Sequence, residues 1–234
     1  MKAIILAAGL GSRLGKLTQQ VPKCLLTVGH KPMLDHWFLI LSRYGVNEIL
    51  INTHHLSEKV VSHCAKSISN GLKITFSYEK NLLGTAKTIV HNRDFIKDDR
   101  FFLIVYADTW MNIDLRKMLK VQKIHKGIGT IGLYRPEDLK DQGAVKVDGR
   151  KIISIEEKSD KPQGKHAFAG IMIGSQTIFR FYNDSMTDLA RDWLPVIKDG
   201  LNPFFIDDLV YDIGTPERYK LANDKVKSLG LLAL

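Results

Sequence analysis

The most constraining feature of the chain is the way short apolar runs alternate with helix-length segments. The opening run, Lys2-Ala-Ile-Ile-Leu-Ala7, stops at the glycine-rich segment Ala8-Gly-Leu-Gly-Ser-Arg13. A continuous apolar run followed by glycines predicts a strand that is buried on both faces and ends in a loop. Because further runs alternate with helices of 10–15 residues, we predict an α/β fold with a doubly wound, mainly parallel sheet.

Periodicity and punctuation predict the individual elements. Pro32 near the start and Gly45 just past the end delimit one helix, as expected for residues that begin and stop helices. The predicted helices are Pro32–Tyr44, Leu56–Ser67, Asp114–His125, one beginning near Ser175, and Thr215–Leu229. The predicted strands are Glu48–Asn52, Lys73–Tyr78, Phe101–Tyr106, Gly129–Tyr134, two within Gly143–Lys158 around a turn at Asp148-Gly149, His166–Ile173 and Phe204–Tyr211. No internal repeat or linker interrupts them, so we expect one domain spanning 1–234.

Composition limits the class of protein. The 34 Lys and Arg outnumber the 25 Asp and Glu by nine charges, which suits a polyanionic ligand. The basic residues are scattered, so we expect no nucleic-acid partner. No apolar run has the roughly 18–20 residues that span a bilayer, and residues 1–6 do not form a signal peptide. We therefore expect a cytoplasmic protein without a membrane partner.

We expect neither cysteine to belong to a disulfide or a metal site. Cys24 and Cys64 are the only ones and form no Cys-x-x-Cys pair, which excludes a disulfide scaffold and a cysteine zinc site. We expect both to be small, buried side chains.

The glycine-rich segment is the strongest functional signal. Gly9 and Gly11 remove side chains where backbone N–H groups could approach an anion, and Arg13 and Lys23 add two cations. The segment is neither a Walker loop, because it lacks Gly-Lys-Ser/Thr, nor a Gly-x-Gly-x-x-Gly fingerprint, because residue 14 is leucine. A glycine turn with incidental basic residues is the alternative.

Two carboxylates are placed to bind a metal. Asp108 follows the run Phe101–Tyr106, at the carboxyl edge of a predicted parallel strand, where ligands of such sheets bind. Mg²⁺ prefers one or two carboxylates together with substrate phosphates. Helix capping is the alternative for Asp108. Asp212 is free to join it if Thr215 caps the last helix.

Lys158 follows the predicted strand around Ile152–Ile155, so its ammonium could enter a cleft; a solvated lysine is the alternative. Trp37 and Phe38 lie on a helical apolar face and are expected in the core. His54 and His55 lack a third ligand and are expected to be loop structure.

The segment Leu6-Ala-Ala-Gly-Leu-Gly-Ser-Arg13 followed by Pro22-Lys23 resembles the signature of the sugar-1-phosphate nucleotidyltransferases, also called NDP-sugar pyrophosphorylases. Four more segments occur in the order that this family has them: Leu83-Gly-Thr-Ala86, Tyr106-Ala-Asp108, Glu157-Lys158 with Ala169-Gly170, and Tyr211-Asp-Ile-Gly-Thr-Pro216. The resemblance covers residues 1 to about 220. It is closest to short guanylyl- and uridylyltransferases such as mannose- or heptose-1-phosphate guanylyltransferase.

This resemblance implies a Rossmann-like domain and a role for each matching residue. The nucleotide would contact Leu6, Ala7, Ala8, Gly9, Gly11, Ser12, Arg13, Lys23, Gly84 and Thr85. The sugar phosphate would contact Asn52, Trp110, Gly143, Glu157, Lys158 and Gly170; for Trp110, packing is the alternative. Asp108 and Asp212 would bind Mg²⁺, and Arg13, Lys23, Asp108 and Lys158 would be catalytic.

The implied organisation is a nucleotide-binding half over about 1–112 and a sugar-binding half over about 113–220. No hexapeptide repeats are present, so a C-terminal β-helix is not expected. Two positions depart from the family pattern: Ala107 stands where relatives usually have glycine before the metal aspartate, and Lys87 where they often have glycine.

The implied reaction joins a nucleoside triphosphate to a sugar 1-phosphate and releases pyrophosphate, in nucleotide-sugar and polysaccharide biosynthesis. GTP is favoured and UTP is next, and we expect a monomer or homodimer. Two alternatives remain open. One is a phosphocholine cytidylyltransferase of the same fold, for which Tyr106 and Trp110 could supply aromatic contacts to the quaternary ammonium. The other is a non-catalytic nucleotide-sugar sensor.

Overall fold

The computed structural model describes residues 1–69, 71–139, 142–156, 162–207 and 209–228. Within these ranges the strands are β1 Ala3–Leu6, β2 Thr27–Val28, β3 Lys31–Pro32, β4 Glu48–Thr53, β5 Lys73–Tyr78, β6 Phe101–Tyr106, β7 Thr109–Met111, β8 Gly129–Tyr134, β9 Ala144–Asp148, β10 Lys151–Glu156, β11 His166–Ser175, β12 Leu201–Phe205 and β13 Val210–Asp212. The α-helices are α1 Leu17–Gln20, α2 Met33–Arg43, α3 Ser57–Ser69, α4 Thr85–His91, α5 Arg93–Ile96, α6 Leu115–His125, α7 Leu194–Ile197 and α8 Pro216–Ser228.

Short helices of other types complete the list of elements. The 3₁₀-helices are Ser12–Leu14, Lys23–Leu25, Gln176–Phe181 and Lys198–Gly200, and Leu189–Trp193 is a π-helix. The helix predicted near Ser175 is therefore the 3₁₀-helix Gln176–Phe181.

The chain divides into two compact units that interleave along the sequence. The N-terminal unit comprises the described residues of Lys2–Leu82, Tyr106–Ile113 and Asp208–Leu234. The central unit comprises Leu83–Val105 and the described residues of Asp114–Asp207, together with Met1. The single domain with halves meeting near residue 112 stays a prediction.

The N-terminal unit contains the parallel sheet that the sequence predicts. β1 pairs in parallel with β4, and β4 with β5, in a register that sets Leu6 beside Asn52 and Asn52 beside Ser77. Helix α2 buries the apolar face predicted for it, including Trp37 and Phe38. The loops that follow β1 and β4 therefore leave the sheet at the same edge, which is where parallel α/β sheets bind ligands.

A second, smaller core of the N-terminal unit lies beneath two short ribbons. β7 pairs antiparallel with β13, and β2 with β3. The apolar side chains packed there come from these ribbons, α2, α8 and the loop after β1: Leu14, Leu26, Val28, Met33, Trp110, Ile213, Ala222 and Val226. Because every one of them is almost fully buried, this apolar core holds the two ribbons and α8 together.

The central unit is built around the long strand β11, which pairs antiparallel with β6, β8 and β9. β10 pairs antiparallel with β9, and β12 pairs in parallel with β8. The register of β11 against β8 shifts between Phe168 and Met172, and Gly170 within this bulge has φ +73°. Glycine occupies such a position without steric cost.

The α/β class is confirmed, but the predicted strand Phe204–Tyr211 is wrong. This segment contains the end of β12 and the start of β13, with a break between them. The two strands have different partners, since β12 pairs with β8 and β13 with β7. An apolar run could not reveal that its two ends pair with different strands.

Both cysteines are buried, as predicted, and burial raises the pKa of each thiol to about 12. Neither thiol is therefore ionised near neutral pH. No helix among the described residues has the length and apolar character needed to cross a bilayer.

Candidate active site

The glycine-rich loop after β1 has one glycine that the chain itself requires. Gly11 has φ +66°, and a Cβ there would lie 2.7 Å from Thr18 Cγ2 and 3.3 Å from Lys23 Cβ. The Thr18 hydroxyl donates a hydrogen bond to the Gly11 carbonyl at 3.0 Å. Gly11 therefore allows the loop to turn tightly against Thr18 and Lys23.

Gly9 in the same loop is different. It is exposed, its φ lies outside the left-handed region, and, apart from its chain neighbours, no atom of the described residues lies within 4 Å of where its Cβ would be. The packing of the chain gives no reason for glycine there. Space above an exposed backbone is instead what the close approach of a phosphate requires. Ser12 and Arg13 next to it are also exposed.

Lys23 and Asp108, both predicted site residues, form an ion pair. Lys23 lies in the 3₁₀-helix after Pro22, and only 10% of its side chain is exposed, against 32% for Asp108. The residue before Asp108 is tied to the end of β1, from which the glycine loop leaves, because the Ala107 N–H donates to the Leu6 carbonyl at 3.1 Å. The small residue at 107 is nearly fully buried.

The pairing of β7 with β13 brings Asp212 beside Asp108. Asp212 lies opposite Thr109 in this ribbon, and the Ile213 N–H donates to the Asp108 carbonyl at 3.0 Å. One carboxylate oxygen of Asp212 accepts a hydrogen bond from Arg218 Nη1 at 2.8 Å. Two residues that are remote in sequence thus have adjacent backbones.

The capping alternative for Asp108 is excluded by Asp114. The Asp114 carboxylate accepts from the N–H groups of Arg116 and Lys117 and caps α6 itself. At the other end of the chain, the Arg218 N–H donates to the Thr215 hydroxyl at 3.3 Å. Thr215 therefore caps α8, as predicted, and leaves Asp212 outside the helix.

The side chain of Arg13 also lies near Asp212, as the surroundings of Gly214 show. A Cβ on Gly214 would lie 2.8 Å from Asp212 Oδ1 and 3.1 Å from Arg13 Nη2. The guanidinium and the carboxylate thus converge on the space that a side chain at 214 would occupy. Gly214 belongs to the motif Tyr211–Pro216, but the sequence analysis predicted no role for it. Its position two residues after a predicted metal ligand was the signal that could have indicated one.

The donor set fits a metal ion that arrives with a phosphate ligand. Within the described residues, no group of three or more His, Cys, Asp or Glu side chains is arranged to hold a metal. Asp108, in the turn before β7, and Asp212, at the end of β13, would supply two carboxylates. Mg²⁺ is commonly bound in this way, with its other positions filled by phosphate oxygens and water.

In the central unit, Gly84 and Thr85 are held by a neighbouring loop. Gly84 has φ +86°, and a Cβ there would lie 2.4 Å from the Thr187 carbonyl oxygen. The Thr85 hydroxyl donates to Asp188 Oδ2 at 3.0 Å and accepts from the Leu189 N–H at 2.6 Å. Both hydrogen bonds are internal, so Thr85 positions the loop predicted to contact the base.

Asp188 and Asp192 support this loop and were not singled out by the sequence analysis. Asp192 Oδ2 accepts from the N–H groups of Thr187 and Asp188, each at 2.8 Å. A hydrogen bond from Arg191, with those from the backbone, holds the pKa of Asp192 well below its usual range. These carboxylates shape the loop that supports Gly84 and Thr85. The dipeptide Thr187-Asp188 does not by itself indicate such a supporting role.

Asn52, predicted to contact the sugar phosphate, is instead an internal link. It is 4% exposed; its Oδ1 accepts from the Ala7 N–H at 2.7 Å, and its Nδ2 donates to Glu79 Oε1 at 2.8 Å. It fixes the start of the glycine loop to the parallel sheet. A sugar contact stays a prediction without support in this geometry. His54 and His55 bond to backbone carbonyls, as expected for loop structure.

Trp110 has the packing role that was its alternative. It is 4% exposed, and its Nε1–H donates to His36 Nδ1 at 3.3 Å. His36 must then donate through Nε2 to the Val28 carbonyl, at 2.9 Å. Burial lowers the pKa of His36 and keeps the imidazole neutral, as this arrangement requires. Trp110 also packs beside Tyr211, its partner in the ribbon.

The remaining predicted sugar-phosphate residues are only partly described. Gly143 is followed by β9, and a Cβ on it would lie 2.8 Å from the Glu156 carbonyl oxygen. Gly170 lies in the β11 bulge. Glu157 and Lys158 are outside the described residues. Lys87 is half-buried on α4.

A family model described as nucleotidyl transferase matches residues 2–228. The chain belongs to this family. It is 31% identical over 224 residues to D-glycero-alpha-D-manno-heptose 1-phosphate guanylyltransferase of Campylobacter jejuni, covering 94% of this chain and 97% of that protein. It is 28% identical to UTP–glucose-1-phosphate uridylyltransferase of Synechocystis sp., of which it spans 61%.

A solved structure shares the whole fold. HddC from Yersinia pseudotuberculosis, complexed with GMP-PN, superimposes with a TM-score of 0.80 at 25% identity, covering 97% of this chain and 99% of that one. The resemblance drawn from the motifs is therefore confirmed, as is the fold class. The roles assigned to individual residues stay predictions.

Replacing Gly214 with alanine tests the convergence of Arg13 and Asp212. The added methyl group would displace both charged groups, so we expect kcat/KM for nucleotidyl transfer to fall by about 10- to 100-fold. Gly149→Ala is the control, because it adds a methyl group, and backbone strain at φ +55°, in a turn where no atom of the described residues lies within 4 Å of the Cβ position. An unchanged kcat/KM in folded Gly214→Ala would contradict the assignment.

Replacing Thr85 with valine tests the hydrogen bonds that join Thr85 to Asp188 and Leu189. The change leaves the Leu189 N–H and the Asp188 carboxylate each without one partner, so the free energy of unfolding should fall by about 1–2 kcal/mol. Thr85→Ser keeps the hydroxyl and should lose less. Urea unfolding of both variants provides the comparison, and equal stability of wild type and Thr85→Val would show that these hydrogen bonds contribute nothing.

Proposed function

We propose that the protein is a Mg²⁺-dependent transferase that makes an NDP-sugar and pyrophosphate from a nucleoside triphosphate and a sugar 1-phosphate. The observation that carries this proposal is the meeting of Arg13, Lys23, Asp108 and Asp212 beside an exposed glycine loop. Two cations and two carboxylates around an open backbone suit a metal-bound triphosphate.

The reaction is an in-line displacement at the α-phosphorus. A phosphate oxygen of the sugar 1-phosphate forms the new P–O bond, the α–β anhydride bond breaks, and pyrophosphate leaves with the bonding electrons. A phosphate monoester has its second pKa near ~6 and is mostly dianionic at neutral pH, so the attack needs no general base. Catalysis then consists of positioning and charge neutralisation.

Each side chain has a task in this scheme. Lys23, oriented by its ion pair with Asp108, would contact the α-phosphate, and Arg13 would hold the leaving pyrophosphate. Asp108 and Asp212 would hold the Mg²⁺. When bound, the ion neutralises charge on the phosphate oxygens that surround it. Glu157 and Lys158 would hold the sugar and its phosphate.

GTP is the proposed nucleotide and UTP the next candidate. This choice is supported by the heptose 1-phosphate guanylyltransferase, which the chain matches over nearly its whole length, and by HddC with GMP-PN. The heptose 1-phosphate guanylyltransferase and the glucose-1-phosphate uridylyltransferase favour a heptose or hexose 1-phosphate as the acceptor. The phosphocholine alternative depended on aromatic contacts from Tyr106 and Trp110. Trp110 is buried and bonded to His36, which leaves only the half-buried Tyr106 for such a contact.

The test of this function is pyrophosphate release with Mg²⁺. GTP, UTP, CTP, dTTP and ATP are each combined with a panel of sugar 1-phosphates and with phosphocholine. We expect turnover with GTP and a heptose or hexose 1-phosphate. Turnover only with CTP and phosphocholine would contradict the proposal, and so would nucleotide binding without turnover of any pair.

Replacing Asp108 with asparagine tests the metal assignment. The loss of one charged ligand should lower kcat by at least about 10²-fold, the typical effect of removing a well-placed charged group. Asp224→Asn removes the same charge from an exposed position on α8, where Asp224 pairs with Lys220, and should leave kcat unchanged. Comparable rates in the two variants would refute the role of Asp108.

A further inference from the structure

Both candidate metal ligands already have a cation beside them. Lys23 pairs with Asp108, and Arg218 pairs with Asp212 at 2.8 Å. The second pair is well shielded, with 21% of the Arg218 side chain and 24% of the Asp212 side chain exposed. Charges in such partly buried pairs are screened less by water and salt than fully exposed ones.

The positive charges at this place therefore outnumber the negative ones before any ligand binds. Two carboxylates face two paired cations, and Arg13 adds a third positive charge near Asp212. A divalent cation is attracted by a net negative charge, and these five groups do not supply one. The negative charges of a bound triphosphate would reverse this balance, since they offset the cations and add oxygen ligands.

Lys23 and Arg218 differ in whether they lie where a phosphate would bind. Lys23 adjoins the glycine loop, where a phosphate would lie, whereas Arg218 lies in the first turn of α8. That helix is fixed to the β2–β3 ribbon: the Tyr219 hydroxyl donates to the Thr27 carbonyl at 2.8 Å, and the Gly29 N–H donates to Asn223 Oδ1 at 3.0 Å. Arg218 is thus held on Asp212 by a rigid element.

Arg218 also orients the Asp212 carboxylate. Its Nη1 donates to Oδ2, while Oδ1 is the atom closest to the space above Gly214, 2.8 Å from the Cβ position there. Arg218 therefore engages Oδ2, which lies 3.2 Å from that Cβ position, slightly farther than Oδ1. Oδ1 is thus the oxygen that this arrangement presents to an incoming metal.

We propose that Arg218 is the resident counter-ion of Asp212, which prevents a divalent cation from binding before the nucleotide. The metal then enters together with the triphosphate. This inference rests on the proposed function and adds a control of its metal site. Because coupling between two ligands is reciprocal, the nucleotide and the metal each strengthen the binding of the other. Arg218 is a positioning residue in this account and contacts no substrate.

Titration of the protein with Mn²⁺ without nucleotide, followed by the paramagnetic resonance signal of free Mn²⁺, tests this directly. The wild type should not bind Mn²⁺ measurably at micromolar concentrations. Arg218→Gln removes the counter-ion and should bind Mn²⁺ about tenfold more tightly, from the Coulomb energy of a screened charge close to a divalent ion. Arg218→Lys keeps the charge and should resemble the wild type.

Lys220→Gln is the matched control. It makes the same change of charge on the same helix, at an exposed lysine that pairs with Asp224, and should leave Mn²⁺ binding unchanged. Tight binding by the nucleotide-free wild type would overturn the proposal. So would equal Mn²⁺ affinity in wild type and folded Arg218→Gln, or equal gains in Arg218→Gln and Lys220→Gln.

Circular dichroism establishes that each variant is folded. If Arg218→Gln is not, Arg218→Met, which keeps an apolar stem, takes its place, and the wild-type titration remains decisive by itself. The result is independent of the pyrophosphate assay. Failure of the proposed function appears as no turnover of any substrate pair, whereas failure of this inference appears as unaltered Mn²⁺ binding.

Discussion

The site depends on the pairing of two short strands, β7 and β13. This pairing sets Asp212 opposite Thr109 and bonds the Ile213 N–H to the Asp108 carbonyl, so that it assembles the two candidate metal ligands from distant parts of the chain. The ribbon rests on Trp110 and Ile213, both nearly fully buried. Burying a large apolar side chain contributes about 1.5–3 kcal/mol, which gives the carboxylates a rigid base.

Charge compensation is the second property of this arrangement. Each carboxylate has a cation from another element, Lys23 for Asp108 and Arg218 for Asp212. Without such partners, the two neighbouring acidic groups would repel each other. The same pairing would make the site responsive to a polyanion, because a triphosphate could bind Lys23 and offset the charge of Arg218, so that the two carboxylates could accept a metal.

Sequence predicted the parts of this site that are local. The strand β1, the glycine loop and the Thr215 cap depend on residues within a few positions of one another. The parts that were missed depend on distant contacts: Asp188 with Thr85, Arg218 held on Asp212 by α8, and Gly214 between Asp212 and Arg13. Asn52 and Trp110 lie near the predicted places, but their burial, which sequence did not reveal, turned them inward.

A crystal structure with a nucleoside triphosphate and Mn²⁺, located by its anomalous scattering, would show whether the two aspartates bind a metal. One metal should be bonded directly to an oxygen of Asp108 and an oxygen of Asp212, with phosphate oxygens completing its shell. The phosphates should lie over Gly9, within reach of Lys23 and Arg13. A metal bound to the triphosphate but remote from both aspartates would show that they are not its ligands.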